Sequence, residues 1–144
     1  MELTIIIPVY NVENHLSRCL DSIFVGNNID GEFEVIAVDD GSTDNSYGIL
    51  QEYASRHKQL KIYHQENQGS SVARNKALDV ATGKYIMFVD SDDFVEKDSI
   101  NTILQEAIKT DIDILFYDFN IISEDGMKKR ASCPNFEENE IFTG

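Results

Sequence analysis

The stretch Tyr85-Ile86-Met87-Phe88-Val89-Asp90-Ser91-Asp92-Asp93 sets an apolar run directly against three acids, with no lysine or arginine between them. The apolar run predicts a buried strand, Tyr85–Asp90, that ends where the acids begin. Because alternate residues of a strand face the same side, Asp90 and Asp92 are expected to point into one space, with Cα atoms roughly 7 Å apart. Two carboxylates about 4 Å apart repel by about 4 kcal/mol at an effective dielectric of about 20.

A divalent cation held between these acids would relieve that repulsion. Oxygen ligands alone favour Mg²⁺, Mn²⁺ or Ca²⁺ over zinc, so Asp90 and Asp92 are the candidate metal ligands. A structural alternative uses the same stretch without a metal: Asp92 or Asp93 caps a helix that begins near Lys97. Taken alone the stretch leaves both interpretations open, because one capping aspartate is ordinary.

Strand and helix patterns alternate along the rest of the chain. The predicted strands are Leu3–Pro8, Phe33–Asp39, Leu60–His64, Tyr85–Asp90 and Ile112–Phe119, and the predicted helices are Glu13–Val25, Asp44 or Ser46 to Arg56, Ser70–Ala81 and Lys97–Thr110. This alternation predicts an α/β fold with a mostly parallel sheet flanked by helices and right-handed crossovers. Ligands bind such sheets beyond the carboxyl ends of the strands, where the acids lie.

Composition limits the classes of partner. A chain of 144 residues with a net charge of −14 has no basic stripe for nucleic acid or for an anionic membrane. Cys19 and Cys133 lack metal-type spacing, which is typical of reduced cytosolic thiols. The first residues, Met1–Thr4, begin a strand and do not resemble a signal peptide. No apolar run is long enough to span a bilayer, so we expect no transmembrane segment in this chain.

Two acids also end the second predicted strand. Asp39 and Asp40 precede Gly41, whose freedom of φ suits a tight turn. A carboxylate at this place can accept a hydrogen bond from a base N–H of a nucleotide, which fixes the identity of the base. The structural alternative is that Ser42 or Asp44 in the same segment caps the following helix.

A third polar segment, Asn67–Asn75, leads from a strand into a helix. Arg74 lies one turn into that helix, where a cation is unfavourable beside the positive end of the dipole unless an anion is present. Arginine is well suited to binding phosphate, and a solvated surface arginine is the alternative. Tyr10, after the first strand, is placed to stack on a base. The histidines have no ligand spacing and receive no catalytic role.

Four motifs in order resemble the inverting family 2 glycosyltransferases of GT-A type. They are Val9-Tyr10-Asn11, Val38-Asp39-Asp40-Gly41-Ser42-Thr43-Asp44, Asn67-x-Gly69 followed by Ala73-Arg74-Asn75, and Asp90-Ser91-Asp92-Asp93. The resemblance covers nearly all of residues 3–120. It implies a GT-A-type, Rossmann-like sheet and a nucleotide-sugar donor, usually UDP-linked. It further implies transfer of the sugar, with inversion, to a hydroxyl of a saccharide or lipid-linked acceptor, often in polysaccharide biosynthesis.

The resemblance also implies roles for particular residues. The donor-binding set is Pro8, Val9, Tyr10 and Asn11 along the nucleotide, Asp39 and Asp40 at the base and ribose, Arg74 at the base or diphosphate, and Asp90, Ser91 and Asp92 as the D-x-D motif. Asp92 is implied as the most direct ligand of Mn²⁺ or Mg²⁺, and Asp90 as the second acid of the metal site. The cation would let a diphosphate lie beside these acids and would stabilise it as it departs.

The family's catalytic base is expected beyond Gly144, so no residue is assigned to it. We expect residues 1–120 to bind the donor and residues 121–144 to begin an incomplete acceptor-side region of a longer enzyme. The family's setting implies a cytoplasmic protein, with the inner face of the membrane as the place of the full-length enzyme. The alternatives are a catalytically silent nucleotide-binding fragment and a sugar nucleotidyltransferase of related fold. A phospho-receiver domain fits poorly, because its acid pair would follow the first strand.

Overall fold

The computed structural model describes residues 1–27, 29, 32–115, 119–123 and 126–131. The strands are β1 (Leu3–Val9), β2 (Phe33–Asp39), β3 (Leu60–His64), β4 (Tyr85–Phe88), β5 (Phe119–Ile122) and β6 (Lys128–Ala131). The helices are α1 (Glu13–Phe24), α2 (Ser46–Arg56), α3 (Ser70–Leu78) and α4 (Ser99–Thr110). The chain divides into two compact units, Met1–Leu104 and Gln105–Gly144. In the second unit, β5 and β6 pair in an antiparallel ladder.

The first unit is built on a four-stranded sheet in the order β3-β2-β1-β4. All three pairings are parallel, which confirms the predicted α/β fold. Val9 of β1 lies opposite Asp39 of β2, and Asp39 lies opposite His64 of β3. This register brings the carboxyl ends of three strands to one edge of the sheet, and the segments that follow them meet there.

Helices cover both faces of the sheet, which explains the unbroken apolar character of β1. On one face, Ile5 and Ile7 belong to a buried cluster with α1 and α2, to which α1 contributes the stripe Leu16, Cys19, Leu20 and Ile23. On the other face, Ile6 is buried with two small residues of α3, Ala73 and Ala77. Small residues on α3 let its backbone approach the sheet closely. That approach fixes the start of α3 at the edge where the strands end.

One ionisable side chain is buried at the opposite end of β1 and β2. Glu34 is 1% exposed and accepts hydrogen bonds from Thr4 Oγ1 at 2.8 Å and from the backbone and hydroxyl of Thr82 at 2.8 and 2.7 Å. Lys61 Nζ lies 2.6 Å from its other oxygen. Burial acts to raise the pKa of Glu34, but these hydrogen bonds outweigh it and lower the pKa from 4.5 to about 2.

Two sequence predictions around the acid stretch are wrong. The strand β4 ends at Phe88, because Asp93 N donates to Asp90 O at 3.0 Å and folds the acids into a turn. Asp90 and Asp92 are therefore not alternate residues of a strand. The helix α4 begins only at Ser99, so neither Asp92 nor Asp93 is its N-cap. Asn27 accepts from Ile100 N at 2.9 Å instead.

The predicted strand Ile112–Phe119 is wrong at residues 112–115, which form no strand. Asp111 has a φ of 49°, which turns the chain at the end of α4, and residues 112–115 form no ladder with another described strand. Residues 116–118 lie outside the described residues. The strand in this region, β5, begins at Phe119 and pairs with β6. Residues 112–115 have no described neighbouring strand to take their backbone hydrogen bonds, so the local apolar pattern did not make them a strand.

Candidate functional site

An open groove of about 370 Å³ lies at the edge where the strands end. Its lining consists of Pro8, Val9, Tyr10, Asp40, Asn67, Gly69, Ser70, Arg74, Asp90, Ser91 and Asp92. The structure thus brings together eight of the ten residues of the predicted donor-binding set, from four separate segments of the chain. Asn11 and Asp39 do not line the groove. Asn67, Gly69 and Ser70 join it, and their signal in the sequence was the same turn-and-cap motif that precedes Arg74.

Asp40 holds one wall of the groove in place. The side chain is 3% exposed, and its Oδ1 accepts from Gln65 Nε2 at 2.7 Å and from Gln68 N at 2.9 Å. Its Oδ2 accepts from Gly69 N at 2.8 Å, where Gly69 has a φ of 92° that only glycine adopts without strain. Burial acts to raise the pKa of Asp40, but these three hydrogen bonds lower it overall. An ionised Asp40 therefore fixes the loop that leads into α3.

The side chain of Arg74, on α3, reaches the turn formed by Asp90–Asp93, which we call the acid turn. Its Nη1 donates to Ser70 Oγ at 3.2 Å, and its Nη2 lies 2.5 Å from Asp90 Oδ1. The sequence suggested that the acids have no counter-charge, and that inference is wrong. The guanidinium comes from sixteen residues earlier, so only the fold, which sets α3 beside the end of β4, reveals the pair.

Asp92 differs from Asp90 because its carboxylate is exposed and has no hydrogen-bond or ion-pair partner in the described part of the chain. Burial, then Asp92, then Asp90 raise the pKa of the neighbouring Asp93. Within the described ranges, no three acidic, histidine or cysteine side chains converge as a ready-made metal site. Mg²⁺ commonly binds through one or two carboxylates and completes its shell with water and phosphate. The free oxygens of Asp92 and Asp90 fit a cation of that kind.

Asn11 lies beside the groove and not in it. It has a φ of 50°, and its Oδ1 accepts from Thr43 N at 2.7 Å, while its own N donates to Ser42 Oγ at 3.1 Å. Left-handed backbone is tolerated by asparagine better than by most residues. Asn11 therefore ties the segment after β1 to the segment after β2. Its predicted contact with nucleotide remains a prediction.

The starts of α1 and α2 cap each other across the same two segments. Asp44 accepts from Ser46 N at 2.9 Å and from Glu13 N at 3.0 Å, so one carboxylate serves both helices. In return, Ser46 Oγ accepts from Val12 N at 2.9 Å and Glu13 accepts from Asn45 N at 2.8 Å. We call this set, together with the bonds of Asn11, the reciprocal cap. The sequence predicted Ser42 or Asp44 as a cap for α2 only, because the second partner of Asp44 lies 31 residues away.

Asp39 is enclosed beneath these segments. It is fully buried, its Oδ2 lies 2.7 Å from His64 Nδ1, and its Oδ1 is buried without a hydrogen-bond partner. Tyr47 covers His64 edge-on, with ring centroids 5.5 Å apart. Sequence reasoning gave His64 no role. The register of β2 against β3, which no local pattern reports, makes it the partner of Asp39.

Comparison with known proteins places this chain in glycosyl transferase family 2, whose sequence model matches residues 4–141. The chain is 41% identical over 122 residues to the glycosyltransferase GlyA of Streptococcus pneumoniae serotype 4, covering 83% of this chain and 17% of that protein. It is 36% identical over 141 residues to the uncharacterized glycosyltransferase EpsJ of Bacillus subtilis, covering 98% of this chain and 40% of that protein. The chain therefore spans less than half the length of these relatives.

Solved structures agree with this assignment. The chain resembles S. aureus TarS 1-349 in complex with UDP-GlcNAc, with a TM-score of 0.69 and 34% identity over 76% of this chain and 32% of that one. It also resembles the mannosyltransferase PcManGT from Pyrobaculum calidifontis in complex with GDP-Man and Mn²⁺, with a TM-score of 0.65 and 29% identity over 75% and 31%. The predicted GT-A-type fold is confirmed. None of the helices in the described ranges is long and apolar enough to cross a bilayer.

Proposed function

We propose that this chain is the donor-binding part of an inverting glycosyltransferase that takes a UDP-linked sugar together with Mn²⁺ or Mg²⁺. The observation that carries the proposal is the groove in which Arg74 faces an acid turn whose Asp92 has free oxygens. A guanidinium and acids on one groove suit a diphosphate that is bridged to the acids by a cation. The UDP-GlcNAc held by TarS supports the choice of nucleotide.

The groove provides a place for each part of such a donor. Tyr10, 46% exposed, offers a ring on which a base can stack. A carboxylate accepts about four hydrogen bonds, so Asp40, which already accepts three, keeps one position for the nucleoside. Asp39 is fully buried outside the groove lining, so its predicted contact with base or ribose is not part of this arrangement. Arg74 would hold the diphosphate, and Asp92, with Asp90, would hold the cation.

The bound cation would supply charge stabilisation for the diphosphate as the glycosidic bond breaks. The residues of this chain would orient the donor and keep its diphosphate beside the acid turn. We propose that residues 1–120 carry this task and that residues 121–144 begin the acceptor side. The base that deprotonates the acceptor hydroxyl is expected after Gly144, in an enzyme that works at the cytoplasmic face of a membrane. Relatives such as the chondroitin synthase of Escherichia coli support a polysaccharide acceptor.

Exchange of one carboxylate for an amide tests the metal site. We expect Asp92→Asn to weaken UDP binding in the presence of Mn²⁺ at least tenfold, because it removes the free ligand. Asp93→Asn makes the same change one residue away, outside the groove lining, and should retain affinity within about threefold. Isothermal titration calorimetry measures both variants. Equal affinities for wild type and Asp92→Asn would refute the assignment of Asp92.

A second candidate function is binding of the nucleotide sugar without turnover. It is favoured by the groove lining, in which every assigned role is binding of donor or cation and no residue is assigned as a base. Incubation of the 144-residue chain with UDP-GlcNAc and Mn²⁺, followed by measurement of released UDP, separates the candidates. Release above the uncatalysed rate supports an active enzyme, and binding without release supports the silent form.

A further inference from the structure

We propose that Arg74 competes with the cation for Asp90, so that the groove binds cation and diphosphate together and binds the cation alone only weakly. This inference rests on the proposed function, because it concerns how the same site is filled. It assigns to Arg74 a second task besides contact with phosphate: before donor arrives, its guanidinium occupies the acid that the cation needs.

Arg74 already pairs with one of the two candidate metal ligands. Its side chain is 31% exposed and is held at two points, by Ser70 of its own helix and by Asp90 of the acid turn. Asp90 Oδ1 thus has a partner, while Asp92 in the same turn has none in the part of the chain that the structure describes. One oxygen of Asp90 is therefore taken by Arg74, whereas neither oxygen of Asp92 has such a partner there.

The charges in the groove favour joint binding of the cation and the diphosphate. Among the described residues that line the groove, Arg74 is the one basic residue, and the lining also holds three carboxyl groups, those of Asp40, Asp90 and Asp92. A divalent cation placed at Asp90 would lie close to the guanidinium and be repelled by it. A diphosphate removes this conflict because it offers anionic oxygens to the cation and to Arg74 at once. Cation and diphosphate then favour each other's binding, which is positive coupling between two ligands.

The exchange needs only a small movement. Arginine carries five N–H donors, of which two are used here by Ser70 and Asp90. When the diphosphate arrives, the Nη2 that is paired with Asp90 can turn to a phosphate oxygen while Nη1 keeps Ser70. Asp90 Oδ1 is then also available to the cation beside Asp92. No covalent bond changes in this step.

Binding of Mn²⁺ without nucleotide tests the inference, because it needs no donor and no turnover. The signal of free Mn²⁺ in electron paramagnetic resonance gives the dissociation constant for wild type and for Arg74→Gln. We expect Arg74→Gln to bind Mn²⁺ alone about three- to tenfold more tightly than wild type. Lys76→Gln removes the same charge from the same helix outside the groove lining and should change this affinity less than twofold.

Arg74→Lys keeps the charge without the planar guanidinium and should bind Mn²⁺ alone nearly as weakly as wild type. With Mn²⁺ in excess, Arg74→Gln should bind UDP at least tenfold more weakly, so the two ligands respond in opposite directions. Unchanged or weaker binding of Mn²⁺ by Arg74→Gln, while wild type still requires Mn²⁺ for UDP, overturns the inference and leaves the proposed function standing. Binding of UDP by wild type that is independent of Mn²⁺ overturns the proposed function itself.

Discussion

At the scale of single residues, the carboxylates around the groove differ in what their oxygens contact. Asp40 accepts three hydrogen bonds from the loop before α3, and Asp90 pairs with Arg74. Asp92 is exposed with free oxygens, whereas one oxygen of Asp39 is buried without a donor. The sequence placed all four acids at strand ends and predicted their role in ligand binding. It did not show that Asp40 braces a loop, because its partners lie 25 to 29 residues further along.

The contrast between Asp40 and Asp92 predicts a difference in stability for one and the same chemical change. Asp40→Asn places an amide NH₂ or a weaker acceptor against donors that are already buried, so we expect a loss of about 1–3 kcal/mol in the free energy of unfolding. Asp92→Asn changes an exposed group without partners and should cost less than about 0.5 kcal/mol. Urea unfolding at pH 7 measures both variants. Equal losses would show that the hydrogen bonds of Asp40 do not stabilise the loop.

The low pKa of Glu34 predicts how the free energy of unfolding depends on pH. Its pKa of about 2 in the folded chain lies below the ordinary value of 4.5, so its contribution is complete above pH 4.5 and is lost as the pH falls through about 2. The shift corresponds to a contribution on the order of 3 kcal/mol. Urea unfolding between pH 7 and pH 2 should show this loss in wild type. In Glu34→Gln the loss of unfolding free energy over the same pH range should be smaller. An identical dependence on pH in both proteins would contradict the low pKa of Glu34.

At the scale of elements, the bounds of a strand were predicted correctly where local residues mark them. The bounds of β2 and β3 agree with the prediction to the residue, because apolar runs end there at polar turns. The end of β4 and the start of α4 were missed by two residues each, since the acid turn and the side chain of Asn27 set them from a distance. The strand predicted at Ile112–Phe119 is absent at residues 112–115, because a strand depends on its neighbour as much as on its own residues.

The reciprocal cap predicts that two helices weaken together. Asp44→Ala removes a hydrogen bond from the start of α1 and another from the start of α2, so we expect a loss of about 2 kcal/mol or more, above the ~1 kcal/mol of an ordinary N-cap. At Asn11, both Asn11→Ala and Asn11→Gly remove the bond to Thr43, but only alanine is strained at a φ of 50°. The alanine variant should therefore be less stable than the glycine variant by up to about 1 kcal/mol.

Urea unfolding followed by circular dichroism gives these differences. Ser55→Ala is a matched control, because its hydroxyl donates to Glu52 O of its own helix and lies outside the cap. It should change the free energy of unfolding by less than about 0.5 kcal/mol. A loss at Asp44→Ala no larger than that of the control would show that the two helices do not share a cap.

At the scale of the whole molecule, a chain of net charge −14 binds an anionic diphosphate only where that charge is locally reversed. The groove offers one guanidinium in its lining and an acid turn fit for a cation. The sequence predicted the groove from four motifs, because a parallel sheet carries its strand ends to one edge. The pair of Arg74 with Asp90 and the enclosure of Asp39 by His64 depend on register and helix placement, which no single segment encodes.

Crystals of the chain grown with UDP and Mn²⁺ give the most direct measurement, an anomalous difference map recorded at the manganese absorption edge. The account predicts a manganese peak in the groove, within bonding distance of the Asp92 carboxylate and of oxygens of the diphosphate, with Arg74 turned toward phosphate. UDP bound in the groove with no manganese peak beside Asp92, or a peak that contacts neither Asp92 nor the diphosphate, would contradict it.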